Sequence, residues 1–378
     1  MKSTIYILFI IILFSACKTE NSELNGKWLN TNFSFPHTIT FIDSVFVISP
    51  SGIIDTISYD ISHNTLLINS PFERDIVKLN YKVDFDTLFT ISTNLDSIIR
   101  QKYYRAKSGD YFSDIKSFLG IDLNLPLGYS DKIGNYNIYN SIFIPTQEKN
   151  DDKISIYLNK QLVVLDSSLH KRLFQLRELD EFSNHKLIAL YIDSDVSYKI
   201  VKIVKNELRK VGYYKIAFIG KGQNPKHYES CRGIKQKLPP IFDEENYFID
   251  PDIRKFEEAK RPPISQKFKN DMGINEDYPN VCNIEIIKDQ IYLNGHLYKT
   301  NQFYQLITEK NLLTIILSID SLSVYQTFYK FIAEYDSLYK IKKNQKSMDI
   351  YQKEYNQLID RDAIKQINNI TVRRLIEK

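Results

Sequence analysis

The chain has little glycine or proline, twelve of each in 378 residues, against 26 tyrosines and 22 phenylalanines. A chain so poor in turn formers and so rich in aromatics does not read as disordered; it reads as β-rich and well packed. A dominant charge is also missing: 50 basic and 46 acidic residues leave a formal +4. Nucleic-acid binding favours a concentrated basic face, so that partner is not expected. After residue 14 no segment is long and apolar enough to cross a bilayer, which takes ~20 residues. Catalytic signatures are missing too. There is no Gly-x-Ser-x-Gly, and no Cys/His arrangement has supporting context. "HYESC" places His227 and Cys231 four apart, but two ligands without a second pair make a weak metal signal, better read as a solvated turn. "IGKGQNP" (219–225) lacks the spacing and the hydroxyl residue of a phosphate loop and reads as a strand-ending turn. "DEE" (243–245) lies among prolines and reads as solvated. No catalytic residue, metal or cofactor is therefore expected, and the chain is not expected to be an enzyme.

Cysteine is scarce as well, with three residues. Cys17 follows Ser15-Ala16, after a stretch that opens Met1-Lys2 and is almost wholly apolar from Ile5 to Phe14. A positive start, a short apolar core and small residues before a break make a secretory signal rather than a membrane span. The placement of Cys17 resembles the lipobox of bacterial lipoproteins, with Phe14 a departure at its first position. The resemblance implies removal of residues 1–16, lipidation of Cys17 and a polar tether over 17–23. The mature chain is then expected on the periplasmic side of the bacterial cell envelope, held to a membrane by its lipid anchor. An ordinary secretory signal with an incidental cysteine is the competing reading. Cys231 and Cys282 would share an oxidising compartment, where they either pair as a disulfide or stand as two separate thiols.

Residues 24–107 read as short strands: "TITFI", "SVFVIS", "IDTISYDI", "NTLLIN", "NYKVDF" and "TLFTIS", divided by turns such as "SPSG" and "SHN". That pattern predicts an antiparallel barrel or sandwich. "LNGKW" opens the segment with the single tryptophan, Trp28, and "YYRA" closes it with Arg105. Gly-x-Trp on a first strand with Arg after the last resembles the lipocalin pattern, which implies that Trp28 closes one barrel end and Arg105 packs across it. A generic sandwich with a core tryptophan is the alternative.

From 113 to 222 the pattern becomes mixed. "ISIYLN" and "QLVVL" read as strands, and 167–179 as a helix with leucines at 169, 173, 176 and 179. "KLIALYID" is an apolar strand, and 197–212 an amphipathic helix with Ser197 as N-cap and Gly212 as stop. "YKIAFIG" is a further strand. One sheet with two helices on one face would bury all these stripes. Residues 223–280, with Pro-Pro at 239–240 and 262–263, read as a connector. From 281 to 378 the mixed pattern returns, with a helix over 324–339 and an extra helix before any final strand.

Two landmarks recur in order. "IYLNKQLV" (156–163) matches "IYLNGHLY" (291–298), and "IDSDVSY" (192–198) matches "IDSLSVY" (319–325). The second falls at the same strand-to-helix junction each time, which argues for a duplicated domain. The fold class expected is thus multidomain: a small lipocalin-like antiparallel β barrel or sandwich, then two α+β domains, each a mixed sheet with two helices on one face.

The stretch from Ile188 to Gly220 resembles the extracytoplasmic domain of the ExbD/TolR biopolymer-transport family. An apolar strand ends in Asp193, Tyr198 opens a helix, and the helix runs through Leu208 and Gly212 to another strand. "GIDLNLPLG" (120–128) resembles the Leu-Pro segment that precedes the family's folded domain. Copy two matches at Asp320 and Tyr325 and departs after its helix. Members couple ion flow to work through a membrane helix bearing an Asp, and no such helix occurs here. The resemblance therefore implies a non-enzymatic accessory or scaffold role, with the copies paired inside one chain and contacting envelope proteins or cell-wall glycan. A lipocalin-like binding protein for a small apolar ligand is the alternative. Asp193 and Asp320 are read as helix-start residues that favour the helix dipole and cap free N–H groups.

Overall fold

In the computed structural model of the chain, the residues described are 23–30, 38–42, 45–49, 55–68, 76–94, 97–107, 111–128, 131–132, 138–146, 154–166, 169–178, 187–213, 215–221, 232–238, 280–310, 313–371 and 373–377. They divide into two compact units. One comprises residues 1–121 with 132–140 and 226–231, the other residues 122–131 with 141–225 and 232–378.

The first unit is an eight-stranded antiparallel meander closed on itself. Its strands are β1 (Gly26–Asn30), β2 (Thr38–Ile42), β3 (Val45–Ser49), β4 (Asp55–Ser62), β5 (Thr65–Ile68), β6 (Val77–Asp84), β7 (Thr87–Asn94) and β8 (Ser97–Arg105). β1 returns to pair with β8, with Trp28 opposite Arg105. Two-residue turns join β4 to β5 at His63-Asn64 and β6 to β7 at Phe85-Asp86; positive φ angles at His63, Asn64 and Phe85 suit such hairpins. Side chains alternate in and out, and the inward set fills a core of Leu24, Trp28, Ile39, Phe41, Tyr59, Leu66, Ile68, Leu88 and Tyr103. A helix, α1 (Tyr111–Leu119), follows, with Phe118 against Tyr104 of β8.

Apart from residues 138–140, the second unit holds both copies of the repeat. Ahead of copy one in the chain comes a two-residue strand, β9 (Asp131–Lys132). Copy one runs β10 (Ile138–Ile144), β11 (Ser155–Leu158), β12 (Gln161–Val164), α2 (Leu169–Glu178), β13 (Leu187–Ile192), α3 (Tyr198–Lys210) and β14 (Lys215–Ile219). A further strand, β15 (Arg232–Lys237), comes from the stretch expected to be only a connector and pairs antiparallel with β14. Copy two runs β16 (Val281–Ile287), β17 (Gln290–Leu293), β18 (His296–Leu297), α4 (Thr300–Glu309), β19 (Leu313–Ile319), α5 (Tyr325–Tyr351), a 3-10 turn (Tyr355–Gln357), α6 (Arg361–Ile370) and β20 (Arg373–Glu377).

The strand orders are β12-β11-β10-β13-β14-β15-β9 and β18-β17-β16-β19-β20. The first five strands of one order match the other position by position, so the duplication extends to topology. In copy two, β16, β19 and β20 are mutually parallel and step one way across the sheet. Right-handed crossovers therefore place α4 and α5 on the same face. β13 is buried at every residue from Leu187 to Ile192, as a strand covered on both faces must be.

The copies differ in where the second helix ends. Gly212, at φ +78°, stops α3, and the N–H groups of Gly212 and Tyr213 return to the carbonyls of Arg209 and Leu208. Copy two has Tyr339 at the equivalent place, and α5 continues to Tyr351, well past the expected end at 339.

Candidate functional site

The most distinctive geometry is the junction between the two copies, built around the repeated Ile-Asp-Ser…Tyr. Each Asp ends a strand and shapes the loop before a helix. Asp193 Oδ1 accepts from the Asp195 N–H at 2.9 Å, and Asp320 Oδ1 from the Leu322 N–H at 3.2 Å. Their own N–H groups bond the carbonyls of Ile144 and Ile286, in the last residues of β10 and β16. Helix capping is thus not their role: both are turn residues joining neighbouring strands. Asp193 has a second task, since its Oδ2 accepts from the Asn124 N–H at 2.7 Å while Asn124 O accepts from Ser194 N–H.

Nor does Ser197 cap α3; its side chain makes no capping bond, and neither does that of Val324 before α5. The first N–H groups of a helix lack partners within it. Here each copy supplies carbonyls to the other. Tyr198 and Lys199 donate to Ser323 O and Ser321 O at 2.8 and 3.1 Å, and Tyr325 and Gln326 donate to Val196 O and Ser194 O at 2.8 and 2.9 Å. Adding 127 to each residue of copy one turns its set into the other, so the four bonds obey a local two-fold. The bridge between Ser197 and Val324 lies on its axis.

Side chains extend this pairing. Tyr198 packs on Phe328 at 4.7 Å, and Tyr325 lies 5.9 Å from Phe218 of β14. Phe218 meets Phe328 edge-on at 5.4 Å. Among these rings lies a charged pair, Lys205 of α3 and Glu377 of β20, in direct contact. Their side chains are 7% and 20% exposed. The Tyr198 hydroxyl and the Gln236 amide each donate to Glu377 at 2.7 Å. Burial pushes the Glu377 carboxyl up, but Lys205 with the hydrogen bonds from Lys205, Tyr198 and Gln236 outweighs it and holds the group below its ordinary value. Burial first, and then Glu377, push the Tyr198 hydroxyl well above its ordinary range.

The Leu-Pro stretch at 122–128 threads along both copies. Lys221 N–H donates to Pro126 O and Gly128 N–H to Lys221 O, extending copy one. The Gln326 side chain of copy two grips Leu127 at both its N–H and its carbonyl, at 2.9 Å each. Gly128 and Gly220 leave room for Tyr329: a Cβ on Gly220 would lie 2.2 Å from its hydroxyl.

The repeated octets share the first residue of their turns. Asn159 and Asn294 both have positive φ, and their side chains accept from the Ser141 and Asn283 N–H groups at 2.9 and 2.8 Å.

Elsewhere, Arg105 lies over the Trp28 ring at 4.3 Å and bonds the carbonyls of Asn25 and Glu23, while Trp28 donates to Leu24 O. The structure thus brings together the two residues expected to close the barrel end. Cys282 carries a free, buried thiol pushed up to about 11 by burial. Cys231, its candidate partner, lies outside the described residues, as do Cys17 and the whole N-terminal stretch through residue 22. His37, His185 and His227, and with them "HYESC" and "DEE", also lie outside them. His63 and His296 are exposed, and His170 is buried against Glu207 at 3.1 Å. Among the described residues no cluster of three or more His, Cys, Asp or Glu could hold a metal ion, and no helix is long and apolar enough to cross a membrane.

No family model, curated protein or solved structure matches the chain. Sequence reasoning singled out Asp193, Tyr198, Asp320 and Tyr325 at this junction and Gly212 at the far end of α3, but missed Lys205, Gln236, Gln326 and Glu377. One signal was present: Lys205 stands on the apolar side of α3 where copy two has Ile332.

Proposed function

We infer that this is a lipid-anchored scaffold of the bacterial cell envelope, an accessory of an ExbD/TolR-like biopolymer-transport system that acts through protein or cell-wall contacts. One observation carries the reading: the two copies of the repeat cap each other's helices through four reciprocal main-chain bonds. A chain that carries both halves of such a pair needs no second molecule to assemble it. With the pair internal, its outer surfaces are available to envelope partners. In sequence, the lipocalin-like barrel, with Arg105 over Trp28, follows the anchor at Cys17 and precedes the pair. A lipid-anchored module without an ion-coupling helix supplies binding, not force.

The test is made in intact cells. A radiolabelled fatty acid should mark the wild-type chain and not Cys17→Ala, which should leave the membrane fraction. Photo-crosslinkers at exposed positions of the paired unit should capture an envelope transport protein or cell-wall glycan. An unlabelled wild-type chain, or crosslinks confined to cytoplasmic proteins, would contradict the reading.

A second reading has its own support. Trp28 and Leu88 are fully buried in the barrel, but Ile61, Val77, Leu79, Tyr81 and Val83, packed on the same core, are only partly so. A strip of accessible apolar side chains suits a small apolar ligand. A saturable change in Trp28 fluorescence across a lipid panel would favour binding; an unchanging signal would favour a purely structural barrel.

A further inference from the structure

We propose that the junction is built to accept copy one against copy two and to refuse either copy against a second copy of itself. This rests on the pairing above and adds to it which partner each surface takes.

The local two-fold defines equivalent positions. Tyr198 corresponds to Tyr325, and Lys205 to Ile332. Strand registers give the rest: Ile188 faces Ile216 in copy one, and Ile315 faces Leu375 in copy two, so Glu377 corresponds to Phe218. Where copy one offers copy two the ammonium of Lys205, copy two offers copy one the aliphatic Ile332. Where copy two offers the carboxylate of Glu377, copy one offers the ring of Phe218. One half of the junction is an ion pair with two further donors, Tyr198 and Gln236; its symmetry mate is apolar, with Phe218 and Ile332 both buried.

Two copies of the first repeat, paired in this geometry, would bury two ammonium groups facing phenylalanine with no carboxylate. Lys202 and Arg209 near Lys205 add positive charge and no relief. Two copies of the second would bury two carboxylates facing isoleucine with no cation. A buried charge whose partner is removed is strongly unfavourable, far more so than a missing surface ion pair. Only the mixed pair satisfies every charge, so the surface of copy one fits copy two and excludes its own twin. Such discrimination by repulsive alternatives is how specific interfaces avoid wrong partners.

The test uses two full-length charge reversals, Lys205→Glu and Glu377→Lys, with separate tags. Alone, each sets two like charges against each other within its own chain. Exchanged between the two chains, every junction is complementary again. The acid of the first variant meets the amine of the second, and native Lys205 of the second meets native Glu377 of the first. Each single variant should melt at a lower temperature than wild type. The double reversal in one chain should recover the wild-type melting temperature and oligomeric state. Co-expression of the two singles should yield a 1:1 complex, recovered through both tags and sized by light scattering. The proposal is overturned if the singles behave as wild type, if the double reversal recovers nothing, or if the co-expressed singles do not associate. The membrane-labelling and crosslinking tests of the envelope role do not depend on this outcome.

Discussion

Single residues at the junction have little room. A Cβ on Gly220 would lie 2.2 to 2.7 Å from three atoms of Tyr329, and one on Gly128 would meet the same ring at 2.9 Å. Gly220→Ala should therefore destabilise the chain by about 1–3 kcal/mol through overpacking, read from urea unfolding. Coupling to Tyr329→Ala should appear as strong non-additivity, because removing the ring removes the clash. Cys282 is buried, with its thiol pushed up to about 11. Alkylation at pH 8 should spare it in the folded chain and modify it fully in denaturant, as mass spectrometry would show; rapid labelling of the native chain would contradict its burial.

At the scale of elements, the repeat explains both what could be read and what could not. The octets were legible because Asn159 and Asn294 do the same local work: a left-handed turn whose side chain also holds the neighbouring strand. Local chemistry leaves a local trace. Gly212 was legible for the same reason, and Gly212→Ala should cost roughly 1 kcal/mol by forcing a side chain into the left-handed region, measurable as a lowered urea midpoint. The continuation of α5 past Tyr339 was not legible. The added turns meet a group distant in sequence: Lys342, buried on α5, donates to the Lys310 carbonyl at the end of α4, a cation where a helix terminus favours one. β15 escaped notice because "RGIKQK" has little apolar alternation and becomes a strand only by pairing with β14. The two aspartates were placed at the right junction but in the wrong role, since an Asp before a helix reads as a cap whether it closes the helix or the turn that leads to it.

Across the paired unit, the central feature is a junction whose main chain is symmetric and whose charges are not. The main-chain symmetry follows from the repeat, which is why the pairing could be anticipated from sequence. The ion pair could not, because Lys205 and Glu377 lie 172 residues apart and belong to positions where the copies differ. That pair ties stability to pH. The carboxyl of Glu377 is held below its ordinary value of 4.5 in the folded chain. Its contribution is therefore fully present above that value and is lost as the pH falls through the lower folded one. Burial, only partly offset by Glu377, pulls the Lys205 ammonium below its ordinary 10.5, so the cost of holding it charged fades as pH rises through its folded value. Urea titrations from pH 7 to pH 2 should show an acid loss that Glu377→Gln flattens. At pH 7 the same change should cost about 3–5 kcal/mol, as expected when one partner of a buried pair loses its charge.

The reciprocal pairing itself is tested most directly on its axis. Ser197 and Val324 form a bridge flanked by the bonds Tyr198 N–H to Ser323 O and Tyr325 N–H to Val196 O. That is the non-hydrogen-bonded kind of antiparallel pair, with Cα atoms about 4.5 Å apart, within reach of a disulfide. In a chain with Cys231 and Cys282 replaced by serine, Ser197→Cys with Val324→Cys should oxidise within one chain. Mass spectrometry of the digest should then show the peptides around 197 and 324 joined. Free thiols after oxidation, or links found only between chains, would contradict the account.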